Sequence, residues 1–263
     1  AYSFSVPARN VTLTANATGN PYSVTYSCNG GAGSRGATNH IYGTASAVST
    51  NFCTKTGSTF TSWNTSENGS GTSIGGGANV TTLTTSYGGI VPVYAQWVVN
   101  KYTVAYNCNG GSGSTASSSH TYGVYKNLSA NGCSRAGHRF DGWTTNSAGT
   151  GTVYTNQQNV VNLTTSNNVT VTLYAKWTKC SAGTYLSGNT CTACPAGKYS
   201  AAGASSCSTC SAGTYSAAGS STCSSCSAGQ YSSAGASSCT NCSAGTYSTG
   251  GAGSCTACPA GKY

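Results

Sequence analysis

The residues with the most chemistry to offer are the cysteines, 15 in a chain of 263. Ten of them, Cys191, Cys194, Cys207, Cys210, Cys223, Cys226, Cys239, Cys242, Cys255 and Cys258, stand as Cys-x2-Cys pairs that recur at one unvarying interval. Thiols so spaced can hold zinc, shuttle electrons or close disulfides. The stretch from one pair to the next, Cys194 to Cys207 for instance, approaches zinc-ribbon spacing. However, no histidine follows Cys180 and the array runs unbroken, so zinc is the weaker reading. Redox catalysis would leave five equivalent pairs redundant. Disulfides need only an oxidising compartment, where a regular cysteine framework persists.

Pairing between neighbours joins Cys180 to Cys191, Cys194 to Cys207, Cys210 to Cys223, Cys226 to Cys239 and Cys242 to Cys255, leaving Cys258 over. Pairing across alternate cysteines competes with this, and spacing does not choose between them. Cys28 and Cys53 are separated by the same interval as Cys108 and Cys133 and stand at equivalent places. That predicts one disulfide in each of two modules, and closing such a loop stabilises a small module by roughly 3 kcal/mol in the chain-entropy account.

Other chemistry finds little support. The only carboxylates are Glu67 and Asp141, which occupy non-equivalent places and offer no pair for general acid-base work. His40 and His120 each open a His-x-Tyr-Gly phrase, without a nucleophile-elbow motif beside them, and read as loop histidines held by hydrogen bonds. The expectation is a non-enzyme with no cofactor and no metal. The net charge of +9 reflects two acids against 11 scattered bases, where a nucleic-acid surface would cluster them. No apolar run approaches the roughly 18 residues of a membrane span. Asn-x-Ser/Thr sequons stand at Asn10, Asn16, Asn64, Asn68, Asn79, Asn127, Asn162, Asn168 and Asn241. They make attached glycans a candidate modification, and sugars would supply the solubility that 5 % charged residues do not.

The elements that must position these residues are short. Thirty-six glycines and long Ser, Thr, Ala and Asn tracts displace the residues long helices prefer, so strands and loops are expected. From Tyr22 to Trp177 one unit occurs twice at an offset that never slips, Tyr22 recurring as Tyr102, Cys28 as Cys108 and Trp97 as Trp177. Tyr22–Cys28 alternates large with small polar residues, the signature of a half-buried strand, and Asn29-Gly30-Gly31 ends it. A second strand is read near Phe60–Trp63, a last one at Val93–Trp97, and a short helix at Tyr42–Ser49. Two tryptophans, a phenylalanine and several tyrosines supply each unit with an aromatic core. Beyond Cys180 the tandem cysteine-rich repeats carry almost no aliphatic side chain, so their order is expected from disulfides and one stacked tyrosine per repeat.

The phrases Tyr-x-Val-x-Tyr-x-x-Asn-Gly-Gly, Phe140-Asp-Gly-Trp143 and Leu173-Tyr-Ala-Lys-Trp177 resemble the internalin-type B-repeat family. The first copy departs from it, with Phe60-Thr-Ser-Trp63 lacking the Asp-Gly turn. The tail resembles ephrin-receptor-like or tumour-necrosis-factor-receptor-like cysteine-rich repeats. These resemblances imply two β-grasp-like (α+β) modules, at 21–100 and 101–179, and an irregular cysteine-rich stalk at 180–263; with the composition they make the chain mainly β, and Asn10–Thr18, which matches the later module endings, reads residues 1–20 as the end of a preceding module or a donor strand. The resemblances imply a secreted or cell-surface structural repeat protein that self-associates into a stalk, fibre or filament. The alternative is an adhesin that binds carbohydrate or protein.

Overall fold

The computed structural model describes residues 18–261, so the reading of residues 1–20 as a terminal strand, and the sequons at Asn10 and Asn16, fall outside the described residues but for the irregular Thr18–Asn20. Two compact units are present: one runs to Lys101 and includes Thr164–Asn167, the other holds Tyr102–Leu163 and the chain from Asn168.

The first module is built from β1 (Pro21–Ser27), β2 (Thr38–Ile41), β3 (Ser46–Ala47), β4 (Ser58–Asn64), β5 (Ser73–Ile74), β6 (Asn79–Val80) and β7 (Gly89–Val99). Five of these form one mixed sheet in the order β2-β1-β7-β4-β5, and β3 pairs with β6 beside it. The β1–β7 pair is parallel and sets Val24 opposite Val91. Parallel strands need a long crossover, here the whole segment from β2 to β6. Alternation in β1 buries Tyr22 and Val24, and in β7 Val91, Val93 and Ala95, on one face around the fully buried Trp63.

The second module repeats the plan with β8 (Lys101–Asn107), β9 (Ser112–Gly113), β10 (Ser118–Thr121), β11 (Lys126–Asn127), β12 (Cys133–Ser134), β13 (His138–Thr144), β14 (Val153–Tyr154), β15 (Asn159–Val160) and β16 (Thr170–Lys179). Its sheet order is β10-β8-β16-β13-β14, with β8 and β16 parallel. Trp143, Leu173 and Val104 fill the corresponding core.

The mainly β expectation holds, and the helical part of the β-grasp expectation does not: no helix occurs among the described residues. At Tyr42–Ser49 the chain turns at Gly43, whose φ is 78°, and Ser46–Ala47 joins β6. Serine, threonine and glycine at this place favour turns over a helical nucleus. The segment carries too few apolar side chains for an amphipathic helix to cover the sheet. Val48 and the Cys28–Cys53 pair fill that role in one copy, Leu128 and Cys133 in the other.

The Asp-Gly expected as a turn is a β-bulge inside a strand. The register shifts between Phe140 and Gly142 opposite Trp177 and Lys176, leaving Asp141 as the extra residue. Thr61 takes that place in the first copy, where the same shift falls between Phe60 and Ser62, so the bulge does not need Asp-Gly.

The tail is also more regular than expected. It is a run of two-stranded hairpins, Thr184–Ser187 with Thr190–Ala193, Lys198–Tyr199 with Ser208–Thr209, and three more at later repeats. Its tyrosines are not its core: Tyr185, Tyr199, Tyr215 and Tyr231 are half-buried and Tyr247 is 47 % exposed. What lies inside are Cys180, Cys194, Cys210 and Cys226 with Ser200, Ser216, Ser232 and Ser248. Each of these serines follows a repeat tyrosine in sequence, the signal that the tyrosine itself obscured.

Candidate functional site

In each module a tight turn at the end of the first strand positions one half of the disulfide. In the first module Asn29 and Gly30 have φ of 49° and 77°, and Gly31 N donates to Cys28 O at 3.0 Å. This tight turn of the kind Asn-Gly favours fixes Cys28 at the end of β1. Trp97 Nε1 donates to the same carbonyl at 2.9 Å, and Asn29 Nδ2 reaches the carbonyls of Glu67 and Ala95. Cys28 is thereby held 5.5 Å from Cys53 between Cα atoms, and the two are bonded. The second copy bonds Cys108 to Cys133 at the same Cα separation, with Trp177 Nε1 donating to Cys108 O at 2.8 Å.

In the tail the bonded pairs are Cys180–Cys191, Cys194–Cys207, Cys210–Cys223, Cys226–Cys239 and Cys242–Cys255, and Cys258 is a free thiol. Three hydrogen bonds recur from each repeat to the next. Gly197 N donates to Ser216 O, Gly219 N to Cys194 O, and Ser216 Oγ to Lys198 O at 2.9, 2.8 and 2.9 Å. One step on, Gly213 N to Ser232 O, Gly235 N to Cys210 O and Ser232 Oγ to Thr214 O repeat them.

His40 and His120 are buried, stacked on Tyr22 and Tyr102 at ring-centroid distances of 5.4 and 5.5 Å. Their Nε2 atoms meet the hydroxyls of Thr38 and Ser118 at 2.9 Å. Burial lowers both pKa values from the ordinary 6.5, and Lys126 lowers that of His120 further. Both histidines lie in strands, His40 in β2 and His120 in β10, and not in the loops expected from sequence; each ring packs on a tyrosine of the neighbouring strand and is a packing element.

The two carboxylates belong to different modules. Asp141 accepts from Arg139 Nε at 2.7 Å and from Thr178 Oγ1, while Glu67 is exposed on a turn. Among the described residues no cluster of three metal-ligating side chains exists and no helix is long and apolar enough to cross a membrane. The sequons at Asn68, Asn79, Asn127, Asn162, Asn168 and Asn241 are exposed. Asn64 is the exception: it is buried, its Nδ2 donates to Gly69 O and Gly71 O, and its Oδ1 accepts from Ser66 N and Gly71 N. A glycan on that amide is incompatible with this fold.

Sequence reasoning missed a concave corner of the second module. A cavity of ≈ 350 Å³ is lined by Arg135, His138, Phe140, Asp141, Trp177 and Asn189 among others. Another of ≈ 240 Å³ is lined by Asn109, Arg135, Ser147, Gly149, Lys176 and Trp177. Trp177 and Arg135 line both. Gly111 makes room for this indole, since a side chain there would meet Trp177 at 2.9 Å and Ser134 O at 2.6 Å. In sequence, Arg135 lies ahead of β13 and Lys176 within β16, and nothing local brings them together.

Comparison with protein families places these features. The Listeria-Bacteroides repeat domain matches residues 22–87 and 102–176. The family described as tyrosine-protein kinase ephrin type A/B receptor-like matches residues 213–249. Comparison with curated proteins returned no match. Both matching families are non-catalytic repeats, the first typical of surface proteins. With two copies of it spanning more than half of its length, the chain belongs to the Listeria-Bacteroides repeat domain family.

Proposed function

We propose that the chain is a structural segment of an extracellular repeat protein, a stalk or fibre whose modules set distance and do no chemistry. The observation that carries this reading is the tail's hydrogen-bond ladder, in which each repeat makes the same three bonds to the next. Repeats hydrogen-bonded to their neighbours in one unvarying pattern, with a glycine of each also close to the second repeat along, as Gly197 is to Gly235 O, add length by repetition. Seven disulfides suit an oxidising exterior. The large aromatics Trp63 and Trp143 are spent inside their own modules, which fits spacers better than a recognition surface. Self-association into a filament, and glycans on the exposed sequons, belong to the same proposal.

Deleting one repeat, Ser211–Cys226, tests it. The deletion brings Cys210 to the same sequence separation from Cys239 that the bonded tail pairs have. The expected variant has one disulfide fewer, native near-ultraviolet circular dichroism and a shorter maximum dimension by small-angle X-ray scattering. A variant that unfolds, or keeps its full dimension, overturns the stalk. Sedimentation velocity on the oxidised parent chain tests assembly: species that grow with concentration are expected, and a monomer throughout removes the filament.

A further inference from the structure

The two modules are internal controls for one another, and they diverge at one corner. In the first, Gln96 folds over the turn at 66–69, its Nε2 donating to Ser66 O and Glu67 O at 3.5 and 3.3 Å. Its Oε1 lies 2.9 Å from where a Cβ on Gly69 would stand. Glu67 adds a carboxylate there, against the single cation Lys55, whose Nζ donates to Asn29 O at 3.5 Å. At the equivalent places of the second copy, Gln96 becomes Lys176, Glu67 becomes Ser147 and Lys55 becomes Arg135. The acid is gone, a second cation has arrived, and an amide that closes the turn is replaced by an ammonium with no hydrogen bond among the described residues.

Two cations thus line one concave surface with a half-buried indole, and among the described residues neither forms an ion pair; Asp141, which lines the adjoining cavity with Arg135, is bonded to Arg139 and Thr178. The one ion pair among the described residues joins Arg139 to Asp141. With two acids against 11 bases in the chain, the corner is left with positive charge that no described carboxylate pairs. We propose that the corner formed by Arg135, Lys176, Trp177, Ser147 and Asn109 binds an acidic sugar, a carboxylated or sulfated unit of a polysaccharide.

The parts have distinct roles. Arginine offers a planar fork that matches carboxylate and sulfate oxygens, and lysine a mobile point charge. Trp177 offers an apolar body to the sugar ring's C–H face, with its Nε1 already committed to Cys108 O. Asn109 Nδ2 is likewise committed, to Ser147 O and Ala175 O, so it shapes the wall without competing for the ligand. A nucleic-acid strand would ask for successive stacking aromatics along a charged groove, and this corner has one. The proposal is independent of the stalk reading, since a spacer and a binder can share a module.

The test uses the full oxidised chain and isothermal titration calorimetry with four probes of equal length: an oligogalacturonate, a sulfated dextran oligosaccharide, an uncharged dextran oligosaccharide and single-stranded oligothymidylate. One or both acidic sugars should bind, more weakly as salt rises, and the acid group preferred identifies the source. Arg135→Ala and Lys176→Gln should each weaken binding about fivefold or more, and Ser147→Glu about tenfold, as expected for loss or repulsion of a charge-assisted contact. Lys55→Ala should leave it unchanged. Lys176→Gln and Ser147→Glu install side chains that the first module carries, and near-ultraviolet circular dichroism verifies the fold. Failure of both acidic sugars to bind, binding untouched by the three corner variants, or oligothymidylate bound as tightly as the sugars would overturn the proposal.

Discussion

His40 and His120 show how a residue can recur for packing alone. Each lies flat on a tyrosine, with one ring nitrogen bonded to a hydroxyl and Nδ1 buried with no partner among the described residues. Burial disfavours the imidazolium, so the folded pKa lies below the ordinary 6.5. The unfolded chain therefore takes up the proton first. Stability from the neutral rings is fully present above about pH 6.5 and is lost as pH falls from there through the folded pKa. Thermal melts should show a falling midpoint from pH 7 toward pH 5, flattened in the double variant His40→Phe and His120→Phe. An equal slope in that variant would assign the effect elsewhere.

At the scale of elements, the disulfide takes the place that a crossover helix would otherwise fill. The segment from β9 to β12 buries few side chains beyond His120, Leu128 and Cys133, which are 1, 2 and 7 % exposed. Replacing Cys108 and Cys133 by serine reopens the loop that their bond closes and should cost the second module roughly 3 kcal/mol. It should still fold, because Trp143, Leu173, Val104 and Leu128 remain buried. Urea titration followed by tryptophan fluorescence measures this. Loss of all cooperative unfolding would show that the bond is required for the sheet to form.

Across the whole molecule two kinds of stability coexist. The modules bury tryptophan and branched aliphatics, whereas the tail buries half-cystines and serines. A hydroxyl bonded to a carbonyl contributes about 1 kcal/mol, and it forms only when the repeats are already held in place. Reduction should therefore free the tail and leave the modules partly ordered. Trypsin in reductant should cut first after Lys198, within the tail's second hairpin, well before Arg135 or Arg139. Simultaneous cleavage at these places would mean that the modules depend on their disulfides as fully as the tail does.

Both repeat periods, the long one of the modules and the short one of the tail, are legible in the residues alone, as are the exclusion of long helices and the faces of the main strands. Each of these is written in the chain directly: the periods are copies laid end to end, while alternation, turn residues and residue preference act within a few positions. The folded chain settles what depends on segments far apart in sequence. It chose neighbour pairing in the tail by bringing Cys194 and Cys207 to 5.8 Å between Cα atoms. It turned Phe140-Asp-Gly-Trp143 into a bulge against β16 and sealed the amide of Asn64 inside a turn. It also placed the serines, not the tyrosines, at the centre of the tail. Cations that read as scattered along the chain line one cavity with Trp177 because β16 carries Lys176 past the turn at Ser147 while the bonds at Cys108 O and Cys133 hold the segment that bears Arg135. No window of sequence contains that meeting, since it is made by strand pairing across the sheet.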